Sequence, residues 1–485
     1  LAKTKSTSYV LTLKLKTEPW QEYILEKRFE IGRQLYNACL HELLKRYKKS
    51  QNDKNYGVLI KQEKTKERNK LLNILHKKYG LNEYAMHSFV KPMQQHFKKN
   101  IDSFTAQKIA TRAWQAIEKL IFDNAEKVRF KKYNEMDSLE GKSNSTGIRF
   151  KNSKLQWIGL NIPVIIKKND IYAHMALQDR IKYCRIVRKL IRGKIKYYLQ
   201  LILEGVPPKK INSKTGEVKH PRNKGIVGID IGTQTIAICS EKDVKLLELA
   251  PSVDDIEREK RILQRKLDRQ RRANNPHKYN ENRTIKKNNL KWIWSKNYIK
   301  TKSQLAELQR KLAEKRKQDH NKLANWILSL GDDIKVETMN YKALQAKTKE
   351  TIKDKNGRYK SKKRFGKSIA NKAPSMFLTI LDRKLSYESK KLKFVDTFSV
   401  KASQYNHFTG VYNKKKLSER WNDFGDFKIQ RDLYSAFLIM NVKDNLKEID
   451  RERCFVAWER FKQLHDKEIE RLRNSGNRLL SSMGI

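Results

Sequence analysis

The chain is 485 residues long, enough for two or three domains. Its 108 Lys and Arg against 53 Asp and Glu leave a net charge of +55, at which a folded protein repels itself unless a polyanion neutralises it, and the natural polyanion is nucleic acid. A merely solvated surface fits such a charge poorly, and no apolar run reaches the length of a bilayer span, which argues against a helical membrane protein.

Residues 8–16 alternate, with Tyr9, Leu11, Leu13 and Leu15 on one face of a strand whose other face is basic. From 20 to 47 the spacing turns helical, with Ile24, Ile31, Leu35, Cys39 and Leu43 recurring. More helix is predicted over 57–78, 82–99 and 105–123. Short strands return from 127, in VRFKK, GIRF and LQWIGL, then over 181–189 and 196–205. The N-terminal half thus reads as a β module with a helical module inserted. Residues 206–224, rich in Pro and Lys, read as a linker.

A second domain begins at Gly225. GIVGIDIG, TIAICS and VKLLELA read as three consecutive strands, followed by a basic helix over 254–272 and another over 298–330. DIKVE (333–337) is a strand, 347–370 a Lys-rich loop, 374–391 a helix and LKFVDT a strand. Residues 430–443 and 445–475 close the chain as helices, the second with Cys454, Phe455, Trp458 and Phe461 on or near one side, able to pack internally or on a partner. This order, βββ–α–β–α–β–α with helices inserted after the third strand, is that of an RNase H-like domain. The four cysteines, Cys39, Cys184, Cys239 and Cys454, are scattered, with no CxxC pair and no zinc-ribbon spacing; they read as thiols in a reducing compartment.

Three acidic residues stand out. Asp230 lies mid-strand in V-G-I-D-I-G, where a charge is costly unless paired or bound to metal. Gly228 and Gly232 flank it and are expected to leave room for a phosphate backbone. Glu337 ends the strand I-K-V-E, and Asp432 follows Arg431 at a helix start. Each alone has an ordinary explanation: an edge-strand Asp, a solvated strand-end acid, an acid serving the helix dipole. Together they come as Asp, Glu, Asp on first strand, fourth strand and final helix, which converge at the carboxyl edge of an RNase H-like sheet. Three carboxylates can hold two divalent cations roughly 4 Å apart. Hard oxygen ligands select Mg²⁺, with Mn²⁺ as substitute; no His or Cys cluster points to zinc. G-I-D-I-G-T also resembles the first phosphate motif of the actin, sugar-kinase and chaperone ATPases, but their later Gly-rich loops are absent.

GIDIGTQTIA, then ETMNYKAL, then S-Q…G…R-W…R-D-L-Y-S-A resemble the three RuvC motifs of the TnpB-type proteins of insertion-sequence transposons and of the related type V CRISPR effectors. The resemblance covers most of 225–443. It implies that Asp230, Glu337 and Asp432 are catalytic Mg²⁺ ligands and that the partners are a guide RNA and double- and single-stranded target DNA. It implies an α+β multidomain fold: a β-barrel-like wedge domain (1–17 and 124–224), a helical recognition domain (18–123), a RuvC nuclease domain (225–400 and 427–485) and a zinc-ribbon-like insertion (401–426). It implies a cytoplasmic, nucleoid-associated setting in a prokaryote, and leaves monomer and homodimer open.

The chain departs from that family at the insertion. Asn406 and Thr409 stand where the first cysteine pair would be, and Trp421 and Phe424 lie near the second. No zinc is therefore expected; packing of Trp421, Phe424 and Tyr412 would hold the segment, and His407 is expected at the surface or on nucleic acid. Loss of zinc also motivates a second reading, an RNA-guided repressor that cuts little. A third is a guide-independent RuvC-like nuclease or transposase. For phosphate contacts the candidates are Arg258, Arg261, Arg265, Arg269 and Arg272 on the basic helix, with Arg431 beside Asp432, and Lys182, Arg185 and Arg188 read as outward strand residues suited to an A-form duplex. His277, Tyr279, Trp292, Trp294 and Tyr298 interleave with bases; stacking on nucleobases and packing in a helical core are both open.

Overall fold

The computed structural model describes residues 7–63, 65–122, 125–348, 350–353, 356–357, 365–416, 418–476 and 479–485, so the expected loop over 347–370 lies partly outside the described residues. The chain divides into two units, Leu1–Glu217 and Val218–Ile485. Both mix helix and strand, an α+β chain as expected.

The first unit runs β1 (Ser8–Leu15), α1 (Pro19–Gln51), α2 (Lys54–Lys61), α3 (Lys66–Lys78), α4 (Glu83–His96), α5 (Ser103–Ile121), β2 (Ser138–Glu140), β3 (Arg149–Lys151), β4 (Lys154–Trp157), β5 (Leu160–Ile165), α6 (Ile171–Ala176), β6 (Ile181–Ile191) and β7 (Lys194–Glu204). β1 alternates exposed and buried at every residue, as a strand with one face on a core must. Its seven-stranded sheet is ordered β2-β6-β7-β1-β5-β4-β3, and β3 comes back close to β6, so the sheet curls. The helix expected over 57–78 is two helices, because Thr65 starts a new one by accepting a hydrogen bond from Arg68 N at 3.1 Å. VRFKK forms no strand. Asn37 brackets Lys131, accepting from its N–H and donating to its carbonyl, each at 2.9 Å, and Arg33 donates to the same carbonyl. Side chains of α1 thus satisfy the backbone that a partner strand would have satisfied.

The second unit runs β8 (Ile226–Ile231), β9 (Thr235–Ser240), β10 (Val244–Glu248), α7 (Asp254–Asn274), α8 (Lys296–Leu330), β11 (Asp333–Glu337), α9 (Tyr341–Leu344), α10 (Gly366–Lys372), α11 (Pro374–Ser386), β12 (Lys393–Val395), α12 (Thr397–Val400), β13 (Trp421–Asp423), β14 (Lys428–Gln430), α13 (Arg431–Met440) and α14 (Arg451–Arg473). Its five-stranded sheet is ordered β10-β9-β8-β11-β12, with β8, β9 and β10 antiparallel neighbours and β11 and β12 parallel to β8. Period-two alternation splits it between two cores. Val227, Ile229 and Ile231 face α8 and α11, while Ala237 and Cys239 of β9 face α13 and α14. On α14, Cys454, Trp458 and Phe461 are buried within the unit, whereas Phe455 stays about half exposed. Among the described residues no helix is long and apolar enough to cross a membrane.

Candidate active site and nucleic-acid surface

Asp230 is the second-last residue of β8 and Glu337 the last of β11. The two strands are parallel, with Ile229 opposite Val336, so both acids lie at the carboxyl edge. Gly228 and Asp230 share one face of β8, and Lys335 and Glu337 the same face of β11. Helix α13 covers that face. Its first turn carries Asp432, and the Gln430 side chain caps it by accepting from Leu433 N at 2.8 Å.

The chain brings the charges of all three acids together. Burial pushes the Asp230 carboxyl well above the ordinary range, and the Glu337 and Asp432 charges push it further; Arg431 pulls the other way. Burial also raises Glu337. Asp432 is paired, with Arg431 Nη2 at 3.3 Å and Arg420 Nη1 at 4.0 Å from its carboxylate. Arg431 is itself oriented by the Glu419 carbonyl, 2.9 Å away. The donor set is hard oxygen, and a divalent cation would relieve the unfavourable charge on Asp230. Among the described residues, however, no three His, Cys, Asp or Glu side chains converge closely enough to grip an ion.

Gly228 does not open the site to a phosphate backbone. A Cβ there would run into the Ala436 carbonyl and lie 2.8 Å from Met440 Cα, so the missing side chain admits α13 instead. Three neighbours of the acids were not expected from the sequence. Lys335 is fully buried and donates to the carbonyls of Met440 (3.3 Å) and Val442 at the end of α13. Its place two residues before Glu337 was the available signal. Arg420 belongs to the R-W pair of the third motif. Tyr341, on α9, is 8% exposed, its hydroxyl has no hydrogen-bond partner among the described residues, and the Asp230 charge acts on it; nothing in its spacing marked it.

The phosphate candidates separate. Arg258, Arg261, Arg265 and Arg269 are exposed on α7, although Arg261 also approaches Glu257 at 3.6 Å. Arg272 is engaged with Asp268 at 2.8 Å and lies over the Tyr279 ring. Lys182 is half-buried. Arg185 forks onto Glu140 at 2.6 and 2.9 Å. Arg188 is not outward. It is 6% exposed, donates to the Met136 carbonyl at 3.0 Å and sits over Phe29, because it shares the buried face of Cys184 and Ile186, and a residue three places from Arg185 must face the other side of the strand. The aromatics of 276–300 form a ladder: Trp292 stacks on Trp294 (5.7 Å) and Trp294 on Tyr298 (4.6 Å), with Lys278 over Trp292 and Trp294 45% exposed.

His407 is buried, not superficial. Its Nδ1 lies 2.7 Å from the Tyr434 hydroxyl, and Phe408, Phe437, Phe455 and Trp458 surround the ring. Burial, with repulsion from Arg451, lowers its pKa to about 4. Phe424 and Trp421 pack against the same core, as expected, while Tyr412 lies against Tyr405 at 4.8 Å and remains 45% exposed. All four cysteines are buried and free.

No protein-family profile and no curated protein matches the chain. Among solved structures it is similar to a Cas12f1–sgRNA–target DNA complex, with 10% identity over 90% of this chain and 99% of that one and a TM-score of 0.44. It is also similar to a CRISPR–Cas12f ternary complex, with 13% identity over 87% and 82% and a TM-score of 0.28. Likeness at this level assigns no activity; that reading rests on the residues.

Proposed function

We propose that this protein is an RNA-guided DNA endonuclease of the compact type V and TnpB kind, with an RNase H-like second unit and a nuclease site of Asp230, Glu337 and Asp432. The observation that carries the reading is the placement of Asp230 and Glu337 at one end of adjacent parallel strands, with the Asp432 charge acting on Asp230 from the helix packed over them, in the strand order 3-2-1-4-5, within a chain of net charge +55. Bound Mg²⁺ would supply an activated water and stabilise the leaving oxygen. Asp230 and Glu337 would hold it from adjacent strands, and Asp432 from the helix packed on them. Arg420 and Arg431 hold Asp432 and stand ready to take a phosphate oxygen when it lets go. The exposed arginines of α7 would follow a nucleic-acid backbone. The curled sheet and helices of the first unit would serve as wedge and recognition domains for guide RNA and target DNA, and 401–426 as a zinc-free nucleic-acid-binding insertion.

One observation favours the repressor instead: the Asp432 carboxylate is paired with Arg431 and lies 4.0 Å from Arg420. The deciding experiment is purification with the native flanking DNA, sequencing of the bound RNA, and a cleavage assay with Mg²⁺ or Mn²⁺ on wild type and Asp230→Ala. A discrete RNA with a constant scaffold and variable end, and cutting lost only in the variant, is expected. Guided binding without cutting would establish the repressor. Cleavage that survives RNase would leave an unguided nuclease.

A further inference from the structure

We infer that Phe398 is a base-stacking platform for single-stranded DNA beside the nuclease site, an inference that rests on the reading above. Phe398 is 89% exposed, the most exposed large hydrophobic residue among those described. Its position is tied to the acids. Val395 of β12 is the direct partner of Glu337, and Phe398 follows three residues later, a reach of at most ~10 Å, or about three stacked nucleotides.

The turn that carries it is fixed. Asp396 accepts from Phe398 N at 3.0 Å and from the Ser399 hydroxyl at 2.9 Å. Thr397 donates to the Thr338 carbonyl (2.9 Å), and Thr338 donates to the Val395 carbonyl (3.0 Å), lacing this turn to the residue after Glu337. Val400 anchors its far end in the core. The backbone that carries the ring is thus fixed while the ring itself stands in water.

The surroundings select the occupant. A protein-binding face presents a contiguous apolar patch of several hundred square ångströms. Here the neighbours along the chain are Thr397, Ser399 and the exposed Lys401, together with the Asp396 carboxylate, on which the Lys447 charge bears. The ring, with half-exposed Phe394 four residues before it and exposed Lys401 three after, suits a flat π-face with a phosphate beside it. Every base offers such a face, so the platform would be indifferent to sequence.

The test uses the full-length protein and a single-stranded oligonucleotide carrying one 2-aminopurine, whose fluorescence is quenched on stacking. Phe398→Ala should weaken binding about 5- to 100-fold and abolish the protein-induced quenching, Phe398→Leu should do the same, and Phe398→Trp should restore both. Because the side chain is exposed, these variants should melt like wild type. Unchanged binding and quenching in Phe398→Ala would overturn the inference. So would a Leu variant equal to wild type, and sedimentation would then show whether the ring meets a second copy. Asp230→Asn in parallel keeps the two readings apart: if it cuts DNA normally the nuclease site is wrong, whereas a dead Asp230→Asn with an indifferent Phe398→Ala removes only the platform.

Discussion

Lys335 and Gly228 sit side by side on adjacent parallel strands, and both meet helix α13. Gly228 gives the helix a close approach, and Lys335 holds the carbonyl of Met440, its last residue at the negative end of the helix dipole, and that of Val442 just beyond it. Asp230 and Glu337 lie two residues further along the same strands, and Asp432 is at the other end of the same helix. The pair therefore sets where the third acid stands relative to the first two.

Gly228→Ala should push α13 off the sheet, lowering stability by about 1–3 kcal/mol and abolishing cleavage. Lys335→Met keeps the stem and removes the cation. It should cost about 1–3 kcal/mol through the unpaired carbonyls and accelerate amide exchange in the last turn of α13, read by hydrogen-exchange mass spectrometry. Unchanged exchange there would show that the lysine does not hold the helix.

Asp230→Asn should remove cleavage and yet stabilise the metal-free protein. In the unfolded chain an Asp ionises near ~4, and in the fold Asp230 ionises well above its ordinary range. Between those values the folded state holds the extra proton, so stability falls as pH rises through that window, and the deficit is complete above the folded pKa. At neutral pH the variant should melt a few degrees higher, with the gain vanishing towards pH ~4. Mg²⁺ should raise the melting temperature of wild type and leave the variant's nearly unmoved.

Much of this site was readable because alternation on a strand is a hard rule. Ile229 and Ile231 buried on one face oblige Asp230 to the other, and the same holds for Lys335 and Glu337 about Val336. What alternation does not say is what covers a face. Gly228 reads equally as a gap for ligand or for helix, and only the packing of α13 decides. Arg188 misled because it stands three residues after Arg185, so the same alternation that turns Arg185 outward puts Arg188 inward with Cys184 and Ile186. His407 misled because a polar residue in a cysteine-stripped loop looks solvated, whereas the aromatic residues that bury it arrive from 434, 437 and 458, far off in sequence.

His407→Phe should flatten the acid side of the stability profile. The folded pKa of about 4 lies below the ordinary 6.5, so the unfolded chain takes up the proton first as pH falls. Stability is fully present above pH ~6.5 and is lost towards ~4, by at most about 3 kcal/mol. Denaturant melts of wild type and variant at several pH values give the difference curve. Its slope should lie in that window, and parallel curves would mean that His407 does not titrate there.

Arg188 and the arginines of α7 should fail in opposite ways. Arg188 is buried, bonded to the Met136 carbonyl and stacked over Phe29, so Arg188→Ala leaves a cavity and an unpaired carbonyl. Its cost should be stability, about 2–4 kcal/mol, with nucleic-acid affinity unchanged in the fraction that folds. Arg265 and Arg269 are exposed. Arg265→Ala with Arg269→Ala should leave the melting temperature within about a degree and weaken binding at every sequence alike, with the slope of log affinity against log salt reduced by about 1 for each phosphate left without its arginine. Filter binding across a salt series reads both quantities. A double variant that keeps the wild-type slope would place these arginines off the nucleic-acid path, leaving the charge of α7 to water.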